Sequence, residues 1–236
     1  MRMFRMLRMS VLIGGAVALA HVGIFANGSG APSAPSGGGG SSTLPSMTPE
    51  ERAVAAYRSG DEHRVKGKKF EEEATTKKGA DVDKTLAKAK SEYQKSLKDF
   101  TNAARLNPNL APAYNGMGFA YRKTGDYAKA LEMYDQAIEL AKPKVFSEAL
   151  EYRGEAYLAL NRIDDARKAY LDLFAIDRTQ ADSLMDAMKK WVATHKTDPA
   201  GVSPDAVTTF EKWLDERDGL AKQTRLMGIT TRYAGW

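Results

Sequence analysis

The 236-residue chain contains no cysteine. That excludes disulfides, thiol catalysis and thiolate metal sites, and it removes the processing-site Cys that a bacterial lipoprotein anchor needs. Histidine is nearly as scarce. Of the three, His21 lies near the N-terminus, while His63 and His195 stand 132 residues apart in different elements. No pair has metal-ligand spacing, and there is no H-E-x-x-H, no G-x-S-x-G and no phosphate-binding glycine loop. The adjacent carboxylates Asp164–Asp165 and Glu71–Glu72–Glu73 do not make acid/base pairs, because neighbours on a helix point about 100° apart. Asp126 and Asp164 read as capping or early-helix charges. The expectation is no enzyme, no cofactor and no metal. Excess charge is also missing. The formal +5 includes Arg2, Arg5 and Arg8; without them 32 basic side chains face 30 acidic ones, a net of +2, so no nucleic-acid partner is expected.

What is present begins with residues 1–26: a basic segment, an apolar run from Val11, then small residues. This is the layout of a secretory signal peptide, with Ala18-Leu19-Ala20 or Ala26 as the processing site. The competing expectation is a retained membrane anchor. The run is about 17 residues and is interrupted by His21, short of the ~20 that a spanning helix needs. Either reading puts the rest of the chain outside the cytoplasm, in the periplasm or secreted, or anchored in the inner membrane, because the arginines stay inside. Residues 27–47 are rich in Gly, Ser, Pro and Ala and read as a flexible linker, spanning on the order of 25 Å.

The centre of the pattern is Ala111–Lys142. Tyr114, Met117, Gly118 and Tyr121, then Ala130, Leu131, Tyr134, Ala137 and Ile138, recur at helical spacing. Lys123-Thr124-Gly125-Asp126 supplies a turn and an N-cap between them. Two short helices joined this tightly lie antiparallel, and Gly118, Ala130 and Ala137 make room for the rings beside them. One hairpin cannot bury its own apolar face and so predicts neighbours.

Those neighbours are legible. Ser96, Phe100, Ala103 and Leu106 precede Ala130, Tyr134, Ala137 and Leu140 by 34 residues. Thr48-Pro49-Glu50-Glu51 opens a helix with a capping box, and Ala53, Ala56, Tyr57 and Gly60 form one face. A second face runs through Leu86, Ala89, Tyr93, Leu97, Phe100, Ala104 and Leu106. Gly60, taken as the counterpart of Gly118, is displaced by 24 residues, which implies an insertion around Thr75–Gly79 that lengthens both helices. Its Lys/Glu-rich surface reads as a solvated extension. Toward the C-terminus, Gly154, Tyr157, Ala166 and Tyr170 follow Gly118, Tyr121, Ala130 and Tyr134 by a constant 36. Leu173 and Phe174 stand where Ala137 would repeat, so the third unit is expected to pack differently on the helix after it. Two amphipathic helices, one with Ala181, Leu184, Ala187, Met188, Trp191 and Val192 and one opened by Ser203-Pro204, read as a cap.

The order Tyr–Met–Gly–Tyr…Ala…Tyr…Ala resembles the tetratricopeptide repeat (TPR), a helical hairpin of about 34 residues. The resemblance implies an all-α fold: a short right-handed superhelix of about three TPR-like antiparallel hairpins with C-terminal capping helices. The expected divisions are 48–108 for the divergent lengthened hairpin, 109–142 for the regular repeat and 143–178 for the third. The TPR domain then spans 48–180, with capping helices over 181–228 and a tail over 229–236. The resemblance also implies a concave groove lined by first helices. Carried over, its positions are Pro112, Asn115, Phe119 and Arg122, then Glu148, Glu151, Glu155 and Leu158. Three glutamates there disfavour a bound carboxylate. The implied partner is a neutral-to-basic peptide or amphipathic helix, with Phe119 and Leu158 as apolar contacts. Function is then expected to be a non-catalytic protein–protein interaction scaffold, in assembly of an envelope or secretion complex. The alternatives are a self-associating structural protein and an accessory subunit of an enzyme.

Overall fold

The computed structural model describes residues 47–233, with side chains to residue 224. The signal-peptide or anchor segment, all but the last residue of the linker, and the end of the tail lie outside the described residues. Among the described residues there are eight helices and no strand: α1 (Pro49–Thr75), α2 (Ala80–Leu106), α3 (Ala111–Thr124), α4 (Tyr127–Ala141), α5 (Ser147–Ala159), α6 (Ile163–Ile176), α7 (Arg178–Thr197) and α8 (Pro204–Tyr233). Each helix packs on the next, and α5 also packs on α7, so the chain is a stack of antiparallel hairpins. None of the described helices is long and apolar enough to cross a membrane.

Local chemistry sets the boundaries. Thr48 accepts from the Glu51 backbone N–H at 3.2 Å while Glu51 accepts from the Thr48 N–H at 2.8 Å, closing the capping box of α1. Gly125 ends α3 at φ 95°, a left-handed position that costs a residue with Cβ, and Asp126 then accepts from the Lys129 N–H to start α4. Asp177 caps α7 through the Thr179 and Gln180 N–H groups, and its other oxygen accepts from Ser147 Oγ at 2.7 Å. One cap thereby ties the start of α5 to the start of α7.

The first hairpin is the long one, with 27 residues in each arm against 14 and 15 in α3 and α4. Its packing has a seven-residue period. Ala53, Gly60, Gly67 and Ala74 are the buried positions of α1, and Tyr93 and Phe100 of α2 fill the notches they leave. A Cβ on Gly60 would sit 2.8 Å from the Phe100 ring, and one on Gly67 2.4 Å from Tyr93. Gly118 bears the same relation to Tyr134, at 2.6 Å. The expected face of α2 is corrected at its start. Thr85 turns inward, as Ser96 does, while Leu86, seven residues before Tyr93, is 41% exposed, level with the last turn of α1, where the covering arm ends at Thr75.

The third unit departs from the second, as Leu173 and Phe174 implied. Gly154 receives Leu184 of α7, 2.5 Å from where its Cβ would be, rather than a ring of its own hairpin. Tyr170, Leu173, Leu184, Met188, Trp191, Phe210 and Trp213 then form the largest core cluster, sealing the end of the stack. α8 runs to Tyr233, beyond the expected end at 228. Gly228 lowers helix propensity by about 1 kcal/mol relative to Ala but does not end a helix without a proline or a turn after it.

Candidate functional site

The first helices of the three hairpins, α1, α3 and α5, adjoin one another, and the face they share contains the predicted groove residues. On α3, Pro112, Asn115, Phe119 and Arg122 recur every three or four residues and so share one side. α5 brings Glu148, Glu151, Tyr152 and Glu155 toward them, and α1 adds Tyr57, Arg64, Lys68 and Glu71.

Around Phe119 this face is closed. The ring is 2% exposed, with Tyr93 at 5.7 Å and Tyr152 at 5.3 Å, both edge-on. Four cations surround it: Arg64, Lys68, Arg122 and Lys123 lie 5.6, 5.1, 5.3 and 5.7 Å from its centroid. Lys123 Nζ donates to Glu71 at 2.6 Å, binding the far half of α1 to the end of α3. Burial lowers the pKa of both lysines; Arg64, Lys123 and Arg122 add to this at Lys68, and Arg122 adds to it at Lys123.

Beside the ring lies a buried ion cluster. Arg122 pairs with Glu155, and its Nε donates to Tyr134 Oη at 3.3 Å. Burial works against the Arg122 cation, but Glu155, Tyr134 and Glu151 outweigh it and its pKa rises. Glu151, one helical turn before Glu155, is in no ion pair among the described residues. Burial first, then the Glu155 charge, holds its carboxyl well above the ordinary range, against the opposing pull of Arg122. Burial likewise raises Tyr134 and Tyr152.

What stays open is a cleft of about 40 Å³ between α1, α3 and α5. Its walls are Tyr57, Phe100, Pro112, Phe119, Phe146 and Tyr152, its polar groups Asn115, Arg64 and Glu148. Asn115 Oδ1 is buried without a hydrogen-bond partner. Arg64 crosses the mouth, 2.6 Å from Asp61 and 4.0 Å from Glu148, and the Glu148 side chain is 40% exposed. The volume admits a water or the tip of one side chain.

Leu158 apart, the predicted groove residues lie together, but not as an open groove. Asn115, Phe119, Arg122, Glu151, Glu155 and Leu158 are all buried, and Pro112 and Glu148 are half-buried. Phe119 and Leu158, expected as apolar contacts for a partner, are occupied within the fold. Leu158 is 4% exposed in the core cluster, and its carbonyl accepts from Trp191 Nε1 at 2.9 Å. The three glutamates likewise do not form one acidic face, since each has a different environment. The α1 contribution is the part that repeat spacing misses, because the insertion has no counterpart in the other units. A signal was nonetheless there. Once the period 53–60–67–74 is assigned to α2, residues 57, 64, 68 and 71 form the adjoining stripe of α1.

Residues 111–142 match the tetratricopeptide repeat family model. The match covers the regular unit alone, and the TPR fold supports protein–protein interaction as the general role of the chain. Among solved structures the chain is similar to the Arabidopsis OM64 TPR domain, with 18% identity and a TM-score of 0.41, covering 58% of this chain and 96% of that one. It is also similar to the nearly identical TPR-like repeats of a Podosopora anserina protein described as a putative kinesin light chain. There the identity is 13% and the TM-score 0.38, over 76% of this chain and 100% of that one. No curated protein matches the chain in sequence.

Proposed function

We propose that the chain is a non-catalytic interaction scaffold acting outside the cytoplasm, in an envelope or secretion complex, and that the cleft between α1, α3 and α5 takes one residue of a neutral-to-basic partner segment. The observation that carries this reading is the pairing of a buried, unpartnered Asn115 Oδ1 with a half-exposed Glu148 at the mouth of an aromatic-walled cleft. A buried acceptor without a donor costs stability unless something supplies one, and a partner's N–H or ammonium does. Glu148 draws the same chemistry. Its nearest cation, Arg64, is already held at 2.6 Å by Asp61. Aromatic walls favour the positive tip of a Lys or Arg side chain.

The test is selection of a displayed random-peptide library on the full chain. Enrichment of neutral or basic sequences is expected, with selected peptides bound about tenfold more weakly by Asn115→Ala and by Glu148→Lys. Enrichment of acidic sequences, or peptides indifferent to both substitutions, would overturn the reading. Its export component is checked by cell fractionation with N-terminal sequencing; recovery of the whole chain in the cytosol would discard it.

A further inference from the structure

The outer side of α2 carries a second surface, away from the cleft. Lys84, Lys88, Lys95, Lys98 and Arg105 recur at intervals of four, seven, three and seven residues, which places them on one face of the helix. Ala87, Ser91 and Asn102 lie on the same face, which has no carboxylate between Lys84 and Arg105. Every member is exposed or half-buried at the surface. At 1.5 Å per residue the row is about 31 Å long.

Two carboxylates of the same helix reach across to α1: Glu92 binds His63 at 2.7 Å and Asp99 accepts from Ser59 Oγ at 2.6 Å. Glu92 also accepts from Lys95 of the row at 2.6 Å. Asp81 reaches Lys84 at 3.6 Å, whereas Lys88, Lys98 and Arg105 meet no carboxylate within 4.0 Å among the described residues. Lys88 instead lies 5.7 Å from the Phe70 ring, and Arg105 donates to Asn102 at 2.9 Å.

We infer that this row docks an acidic amphipathic helix of a protein partner. The spacing of the row selects the occupant. Lys84, Ser91, Lys98 and Arg105 stand seven residues apart, as do Lys88, Lys95 and Asn102, a repeat that a second helix laid alongside can follow, and Asp81 and Asp83 are exposed at its N-terminal end. A broad anionic plane laid on α2 would meet those carboxylates as well as the lysines. A helix with glutamates on one line meets the lysines alone, at matching spacing. Ala87 and Ser91, both small, let its backbone come close.

The probe is a synthetic helical peptide of about 25 residues with glutamates along one line, set against a peptide of equal composition with the glutamates distributed around the helix. Fluorescence anisotropy with the full chain at about 50 mM salt should show the patterned peptide bound roughly tenfold tighter, with binding falling as salt screens the pairs. The variant K84Q/K88Q/K98Q keeps the Lys95–Glu92 pair and touches surface side chains only, and it should bind about tenfold more weakly. The reversal K84E/K88E/K98E should lose the glutamate peptide and take a lysine-patterned one. Equal binding of the two glutamate peptides, or wild-type binding by K84Q/K88Q/K98Q, would overturn the inference. Binding of phosphatidylglycerol vesicles or duplex DNA in preference to the patterned peptide would overturn it as well.

Discussion

Glu151 and Glu155 lie one helical turn apart on α5, both buried, yet their replacement by glutamine should shift stability in opposite directions. Glu155 is the ion-pair partner of Arg122, whose guanidinium is almost fully enclosed. Glu155→Gln strands that cation, and breaking a buried pair from one side costs about 3–5 kcal/mol. For a domain of this size that is on the order of 10 °C in Tm. Glu151 has no such partner, and burial together with the Glu155 charge raises its pKa well above the carboxylate range. In the unfolded chain the same carboxyl ionises near about 4.3. Between that value and the raised one the folded state holds the extra proton, so this group's contribution to stability falls as pH rises through the window. Glu151→Gln keeps the shape and a donor while removing the ionisation. It should stabilise the fold by on the order of 1 kcal/mol at pH 8 and by less at pH 5. Thermal unfolding followed by circular dichroism at pH 5, 7 and 8 measures both variants. Equal losses from the two substitutions, or a Glu151→Gln protein weaker than wild type at pH 8, would refute this account of the cluster.

The glycines divide in the same way. Gly60→Ala and Gly118→Ala drive a Cβ to 2.8 Å from Phe100 and 2.6 Å from Tyr134, rings locked in the core, and each should cost about 1–3 kcal/mol in chemical denaturation. Gly219 on α8 has nothing within 4 Å of its Cβ position, so Gly219→Ala should instead gain about 0.5–1 kcal/mol. Trp191→Phe removes the donor to the Leu158 carbonyl at 2.9 Å and should cost about 1–3 kcal/mol, with faster amide exchange at the end of α5.

How much of the fold is readable depends on which interactions are local. The hairpin Ala111–Lys142 announces itself through a left-handed glycine, a capping aspartate and apolar residues every third or fourth position, all acting within one turn of themselves. The lengthening of the first hairpin is readable as an offset of 24 residues between two matching glycines. Its seven-residue packing is not, since Gly67 gains meaning only when Tyr93, 26 positions away, lies across from it. Leu86 is misplaced because periodicity does not show where the arm that would cover it ends, and the far end of α8 because a lone glycine weakens a helix without stopping it.

The candidate site shows the sharper division. Sequence by itself determined that Asn115, Phe119 and Arg122 share a helix face and that glutamates recur on the next first helix, because helical periodicity is a property of each segment. Only the tertiary structure decided what those residues do. The long arm of α1 folds its own Arg64, Lys68 and Glu71 over Phe119 and Lys123. Arg122 is spent on Glu155, and a small cleft is left between Asn115 and Glu148. Charge along a chain counts ions; only packing says which are paired, and a paired, buried ion presents almost no field to a partner.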